Sequence, residues 1–373
     1  MNNSITSKRY FKHLDGTRFF AFFMVFLVHC FVSVDEDMGN SQFYIAVEDF
    51  CKVGFLGVDY FFVLSGFLIS WVILNEKKYT GKFRFRHFFV RRALRIWPLY
   101  FLIVFAGYGV FYTSFSMAAD ISALPPFYNF ALFIVNFYSI YEGIEYLFFL
   151  TFLWSISIEE QFYIGYSIIA KLFYKLNLLV FAFLLIAASL TYRFFYLDHG
   201  PELYFHTFSV LGNFGVGVLI AHIAQRRNLV FNWLKNRSIT FSSLVYFIFF
   251  GSLIYYNELN EIDSFRVISR LYFSILFGYI IFEQCFLKQR FLSFGKNRFI
   301  NYLGKISFGL YCYHGVVITI LIKTLERLNF EETLWHVFLV YPLIVLIASI
   351  GLSALSYKYF EGFFLKLKRR FAA

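Results

Sequence analysis

Residues 14–34 read LDGTRFFAFFMVFLVHCFVSV, an apolar run long enough to cross a bilayer, and Arg18 and His29 lie inside it. A run of this kind allows few folds. In hydrocarbon every backbone polar group needs an internal partner, so the segment must be a helix. At about 100° per residue, the eleven steps from Arg18 to His29 return to within roughly 20° of the start, so both side chains share one helix face. At about 1.5 Å per residue they lie roughly 16 Å apart along the axis. Ionisable groups in hydrocarbon are expensive and normally line a cavity or a reaction path.

The pattern repeats along the chain. Apolar stretches predict ten spans, at 14–34, 54–75, 96–113, 158–174, 177–195, 204–224, 239–257, 265–286, 300–325 and 335–357. With 60% hydrophobic and 15% charged residues, the chain reads as an all-α, polytopic integral membrane protein. Its +11 net charge does not indicate nucleic acid, because 26 of the 34 Lys and Arg sit in short segments between apolar spans. Segments 35–50, 114–157, 196–203 and 258–264 contain none. Basic residues accumulate on the cytoplasmic side, which predicts both termini there.

Residues 114–157 are expected to make a re-entrant or interfacial excursion, since a full span there would break the alternation. The expected domain plan is one transmembrane unit, 1–373, with a basic cytoplasmic tail at 358–373 and no soluble domain. The first apolar run is too long for a cleaved signal peptide and is expected to stay in the membrane. Tyr and Trp near helix ends (Trp71, Trp97, Tyr100, Trp154, Tyr163) read as interfacial belts. Cys30, Cys51, Cys285 and Cys312 show no metal or disulfide spacing and read as inert thiols.

Three regions can carry chemistry. The 76–95 segment holds eight Lys and Arg and ends in Arg92-x-x-Arg95, two guanidinium groups on one helix face and suited to phosphate; Arg91 is grouped with them. For the segment as a whole, positive-inside anchoring to anionic lipid is the alternative. His29 is a candidate general base; packing is its bland alternative. Arg18 can instead snorkel or pair with Asp15. Glu159 and Glu160 open the fourth span; adjacent residues point about 100° apart, so one of them at most can face a given cavity. One would orient or charge His29; an N-terminal charge cluster in water is the alternative. Asp59, His314, Arg266 and Arg270 are weaker candidates. Gly54, Gly57, Ser65 and Gly66 suggest close helix packing, and His206 and His222 read as structural.

An ordered set of motifs spans the chain: Arg18-x10-His29, Gly57-Val58-Asp59-Tyr60-Phe61-Phe62-Val63-Leu64-Ser65-Gly66-Phe67, Arg92-x-x-Arg95-Ile96-x-Pro98-x-Tyr100, Trp154-Ser155-x-Ser157-x-Glu159-Glu160-Gln161-Phe162-Tyr163, Gly304-x-Ile306-Ser307-Phe308-Gly309-Leu310-Tyr311-x-x-His314 and Tyr357-x-Tyr359-Phe360-Glu361. Together these resemble the membrane-bound acyltransferase 3 family, whose members include bacterial O-antigen and exopolysaccharide O-acetyltransferases. Phe308 stands where the family often has Tyr, and Gly362 where a Pro is common. The resemblance implies a ten-helix core in the bacterial inner membrane. It implies transfer of an acyl group, acetyl foremost, from cytoplasmic acetyl-CoA to a hydroxyl of an extracytoplasmic carbohydrate such as O-antigen, lipopolysaccharide or exopolysaccharide. Some members carry a fused SGNH-type esterase domain, which this chain is expected to lack.

The expected arrangement has Arg92, Arg95 and Arg91 on the CoA phosphates and the pantetheine arm passing Arg18 toward His29, with no metal. Glu159 or Glu160 would fix the imidazole tautomer. Ser65, Tyr60 and Trp154 are candidate donors to the oxyanion. A transporter or a polysaccharide-export accessory protein stays open as the other class, because it too can bury Arg, His and Glu along a path. The acceptor sugar and the oligomeric state are left open.

Overall fold

The computed structural model describes residues 10–112, 124–144, 148–173 and 175–371. Every regular element among these residues is helical. Seven helices are long and apolar enough to cross a membrane, and Leu229–Lys235 with Ile239–Ile254, bent by 89° at their junction, makes an eighth candidate. Two more predicted spans are also helices. His13–His29 is 17 residues long. Leu153–Leu172 is more polar, because Glu159, Glu160 and Gln161 fall in its first half. The chain is a polytopic, all-helical membrane protein.

The main helices are α1 (His13–His29), α2 (Leu56–Thr80), α3 (Phe85–Tyr112), α4 (Leu153–Leu172), α5 (Leu178–Phe195), α6 (Thr207–Arg226), α7 (Ile239–Ile254), α8 (Asp263–Phe286), α9 (Ser307–Leu328) and α10 (Tyr341–Leu355). Helix α2 lies at the centre and packs against α1, α4, α6 and α8. Its glycines set those distances. A Cβ on Gly57 would lie 2.2 Å from the Ala21 carbonyl oxygen of α1, and one on Gly66 would lie 2.4 Å from the Phe214 carbonyl oxygen of α6. Only a residue without a side chain lets two helix backbones approach so closely. The bundle's outer faces stay apolar: Leu184 on α5 and Phe247 on α7 are 63% and 76% exposed. Water would not tolerate that surface, and hydrocarbon does.

Several boundaries differ from the sequence-based spans. Segment 35–50 is helical, not an open loop: Gln42–Lys52 runs through a tight turn at Val53–Phe55 into α2. The 300–325 span is two helices, Arg298–Lys305 and α9. The first is drawn tightly onto α1, where a Cβ on Gly304 would lie 1.6 Å from the Asp15 carbonyl oxygen. The basic tail continues as helix to Lys368, through a π-helical turn at Ser356–Glu361. Residues 114–123 and 145–147 of the predicted excursion lie outside the described residues. The rest of it forms three short helices, Phe127–Ala131, Val135–Tyr141 and Phe148–Thr151, with Phe130, Val135, Asn136 and Leu150 fully buried. None of the four cysteines is in a disulfide.

Candidate functional site

Five helices meet around one cavity of about 780 Å³, measured out to its mouth. Helix α1 contributes Arg18, α2 Ser65, α3 Arg92 and Arg95, α4 Ser155, Glu159 and Tyr163, and α9 Ser307 and Tyr311; Phe61, Phe62 and Phe308 supply apolar wall. Three guanidinium groups face one carboxylate, so the space favours an anion.

Helix geometry explains the convergence. Arg92 and Arg95 are three residues apart and point the same way. Arg91, about 100° round, points elsewhere: its guanidinium donates to the Phe371 carbonyl at 2.8 Å and to Glu76 Oε2 at 3.4 Å. It is therefore absent from the cavity where it was expected. On α4, Ser155, Glu159 and Tyr163 recur every fourth residue and form one stripe. Tyr163 had read as part of an interfacial belt, yet it is buried in this wall, as Tyr100 and Trp154 are buried in the core. The fourfold spacing around Glu159 is a signal from which Tyr163 and Ser155 could have been found; Tyr311 and Ser307 left no comparable trace.

Arg18, Glu159 and Arg92 are each held. Arg18 donates to Asp15 at 2.7 Å, and Asp15 also accepts from the Tyr10 hydroxyl. Glu159 accepts from Ser65 Oγ at 2.9 Å and from the Tyr163 hydroxyl at 3.1 Å, while that hydroxyl also lies 2.7 Å from Ser65 Oγ. The Arg92 guanidinium lies over the Tyr163 ring, 4.8 Å from its centre. Glu160 points away, its Oε2 accepting from Trp97 Nε1 at 3.0 Å. The two adjacent glutamates thus part, one facing the cavity.

His29 is not among the residues lining that cavity. The expected lining shared by Arg18 and His29 is not seen: the cavity wall includes Arg18 but not His29, and Phe22 and Phe26, between them on α1, are buried. His29 packs instead against Phe152 (ring centres 4.5 Å apart), His314 (5.5 Å) and Phe148 (6.0 Å). Neither Glu159 nor Glu160 bonds it among the described residues. Tyr311 stands between the two places: its ring lines the cavity and packs on Phe152 and His314, and its hydroxyl lies 2.7 Å from Ser155 Oγ.

Asp59, Arg270, Arg266, Trp154 and Tyr60 lie outside the cavity lining. Asp59 and Arg270 form a buried ion pair at 3.1 Å between α2 and α8. Arg266 donates to the Leu197 carbonyl at 2.7 Å and pairs with Asp263 at 3.0 Å. Trp154 packs on Tyr204 and Phe205, ring centres 5.1 Å apart in both cases. The Tyr60 hydroxyl bonds Thr17.

A helical bundle of this size, with three arginines converging on a cavity among its central helices, fits a membrane enzyme or carrier. Residues 11–354 match the family described as an acyltransferase domain, and the chain belongs to that acyltransferase 3 family. Among curated relatives, it is 27% identical to a Staphylococcus aureus protein named "Putative O-acetyltransferase", over 83% of this chain and 51% of the relative. It is 25% identical to the "Putative peptidoglycan O-acetyltransferase YrhL" of Bacillus subtilis, over 95% of this chain and 54% of the relative. It is 24% identical to the peptidoglycan O-acetyltransferase OatA of Listeria monocytogenes, over 95% and 56%. The chain therefore spans about half the length of the curated relatives it matches. No solved structure matches it.

Proposed function

We propose that the protein transfers an acetyl group from acetyl-CoA to a hydroxyl of a cell-envelope carbohydrate, with the donor entering from the cytoplasm. The observation that carries this reading is the convergence of Arg18, Arg92 and Arg95 on one cavity. A CoA thioester is an anionic nucleotide on a long uncharged arm. Guanidinium groups bind its phosphates in bidentate fashion, and apolar walls such as Phe61 and Phe308 suit the arm. The names of the relatives, peptidoglycan O-acetyltransferases among them, support a glycan acceptor. The distribution of Lys and Arg supports a cytoplasmic mouth near Arg92 and a location in the bacterial inner membrane.

In this reading Arg92 and Arg95 hold the nucleotide, Arg18 holds the arm, and Glu159 keeps Ser65 and Tyr163 in register with them. Tyr311 marks where the acyl end meets the histidine. His29 removes the proton of the acceptor hydroxyl as its oxygen attacks the thioester carbon. The C–O bond forms, the C–S bond breaks, and the proton passes from His29 to the departing CoA thiolate. Holding both reactants in line supplies much of the rate gain.

The test is thiol release. Purified protein in nanodiscs, given acetyl-CoA and peptidoglycan glycan strands, should release CoA thiol in step with acetyl ester on the glycan. Absence of both from a correctly folded preparation contradicts the reading and favours a carrier.

A further inference from the structure

Resting on the reading of His29 as the base, we propose that His314 is its positioning residue: the bare Nε2 of His314 accepts the Nδ1–H of His29 and presents the other His29 nitrogen to the acceptor hydroxyl. In place of the usual carboxylate, a second imidazole would do the orienting.

The hydrogen bonds fix half of the arrangement. His314, on α9, is wholly buried, and its Nδ1 lies 2.7 Å from the Tyr311 carbonyl oxygen. A carbonyl can only accept, so Nδ1 carries the proton and Nε2 of the neutral ring carries a lone pair. That Nε2 is buried and has no partner. The Nδ1 of His29 is also buried and makes no hydrogen bond of good geometry, although the Val25 carbonyl one turn back lies near the ring. The two rings lie 5.5 Å apart at 41°. A buried polar atom without a partner is unusual in a native core, and here two of them, one able to donate and one able to accept, sit side by side. A turn of the His29 ring or one bridging water would join them.

The surroundings of His29 are mostly aromatic, with the Val25 carbonyl one turn back on α1 as the competing acceptor. Phe152 packs against both rings, 4.5 Å from His29 and stacked at 4.7 Å on His314, and Phe22 closes the other side of His314 at 5.8 Å. Phe148 also faces His29. Cys30, next in the chain, turns back to the Leu27 carbonyl. Glu159 is engaged with Ser65 and Tyr163, and Glu160 with Trp97. The titratable group in contact with the His29 ring is His314. A histidine that merely filled this space would gain nothing from its bare nitrogen. Tyr311 ties the pair to the donor cavity, because its ring lines the cavity and its carbonyl sets the tautomer of His314.

The experiment measures kcat/KM for acetyl transfer against pH, using the full chain in nanodiscs with acetyl-CoA and peptidoglycan glycan strands. His314→Phe should lower kcat/KM about 100-fold, with the KM for acetyl-CoA unchanged. The acid limb should be displaced, since His29 has lost the group that sets its tautomer and shares its charge. His314→Gln, whose amide oxygen can accept, should recover a substantial part of the rate. A folded His314→Phe with wild-type rate and profile overturns the proposal. So does a His314→Gln as slow as His314→Phe with an unmoved acid limb, which would mean that His314 acts through its shape. Should His314→Phe fail to fold, His314→Leu, which likewise cannot accept, takes its place: a displaced acid limb supports the proposal, and an unmoved one overturns it. His29→Ala separates the two claims. Wild-type transfer by that variant removes the base assignment itself, whereas an inactive His29→Ala beside an unimpaired His314→Phe removes only the positioning role.

Discussion

Ser65 and Glu159 meet at 2.9 Å across α2 and α4, 94 residues apart in sequence, and this bond closes one wall of the cationic cavity. Tyr163 completes a triangle with them. Glu159→Ala removes the acceptor that both hydroxyls share and the one carboxylate facing three guanidinium groups. Leaving buried donors unmade costs about 1–3 kcal/mol. The thermal midpoint in detergent should fall, and Glu159→Gln, which keeps one accepting oxygen, should fall less.

The arginines separate binding from architecture. Arg92 and Arg95 face the cavity, whereas Arg91 holds Glu76 and the Phe371 carbonyl. A hydrogen bond to a charged group is worth about 1.5–3 kcal/mol, so Arg92→Ala or Arg95→Ala should raise the KM for acetyl-CoA by roughly 10–100-fold. Arg91→Ala should leave that KM near wild type and lower stability instead. Titration of CoA binding by calorimetry checks the contrast; an unchanged affinity in both cavity variants would return them to topology signals.

The Asp59–Arg270 pair is a stability element in this account. Both side chains are buried at 3.1 Å, away from the cavity. Breaking a buried pair from one side strands the other charge at a cost of about 3–5 kcal/mol, while replacing both groups with apolar ones is far milder. Asp59→Leu alone should greatly reduce the folded yield from membranes, and adding Arg270→Met should restore much of it. Fluorescence-detected size-exclusion profiles give the readout.

Gly57 and Gly66 set the spacing of the central helix. Either one changed to Val would drive side-chain atoms into the backbone of α1 or α6, within the 2.2 Å and 2.4 Å already measured for a Cβ. Loss of folded protein is expected. Gly109 has nothing within 4 Å of such a Cβ, and Gly109→Ala should be silent.

Hydrophobicity alone marked the bundle, because hydrocarbon demands helices with apolar faces, and the ten apolar runs correspond to helices. What it blurred were boundaries set by tertiary contacts: the break at Ile306, where Gly304 clamps onto Asp15, and the continuous helix through 42–80. Arg18, Arg92 and Arg95 stood out as charges in apolar surroundings, and the structure gathers them. Arg91 was grouped with them because it is their neighbour in sequence, although helix geometry turns it away. The partners of Glu159 and of His29 were hidden, since Ser65 and His314 come from helices distant in the chain and no local pattern announces such pairings.

Acetyl ester formation by the reconstituted protein is the most direct test. Proteoliposomes with radiolabelled acetyl-CoA on the side of Arg92 and glycan strands on the side of His29 should yield labelled ester on the glycan and free thiol on the donor side, and His29→Ala should abolish both. Acetyl-CoA left intact by the wild type, or intact acetyl-CoA recovered on the glycan side, would contradict the account.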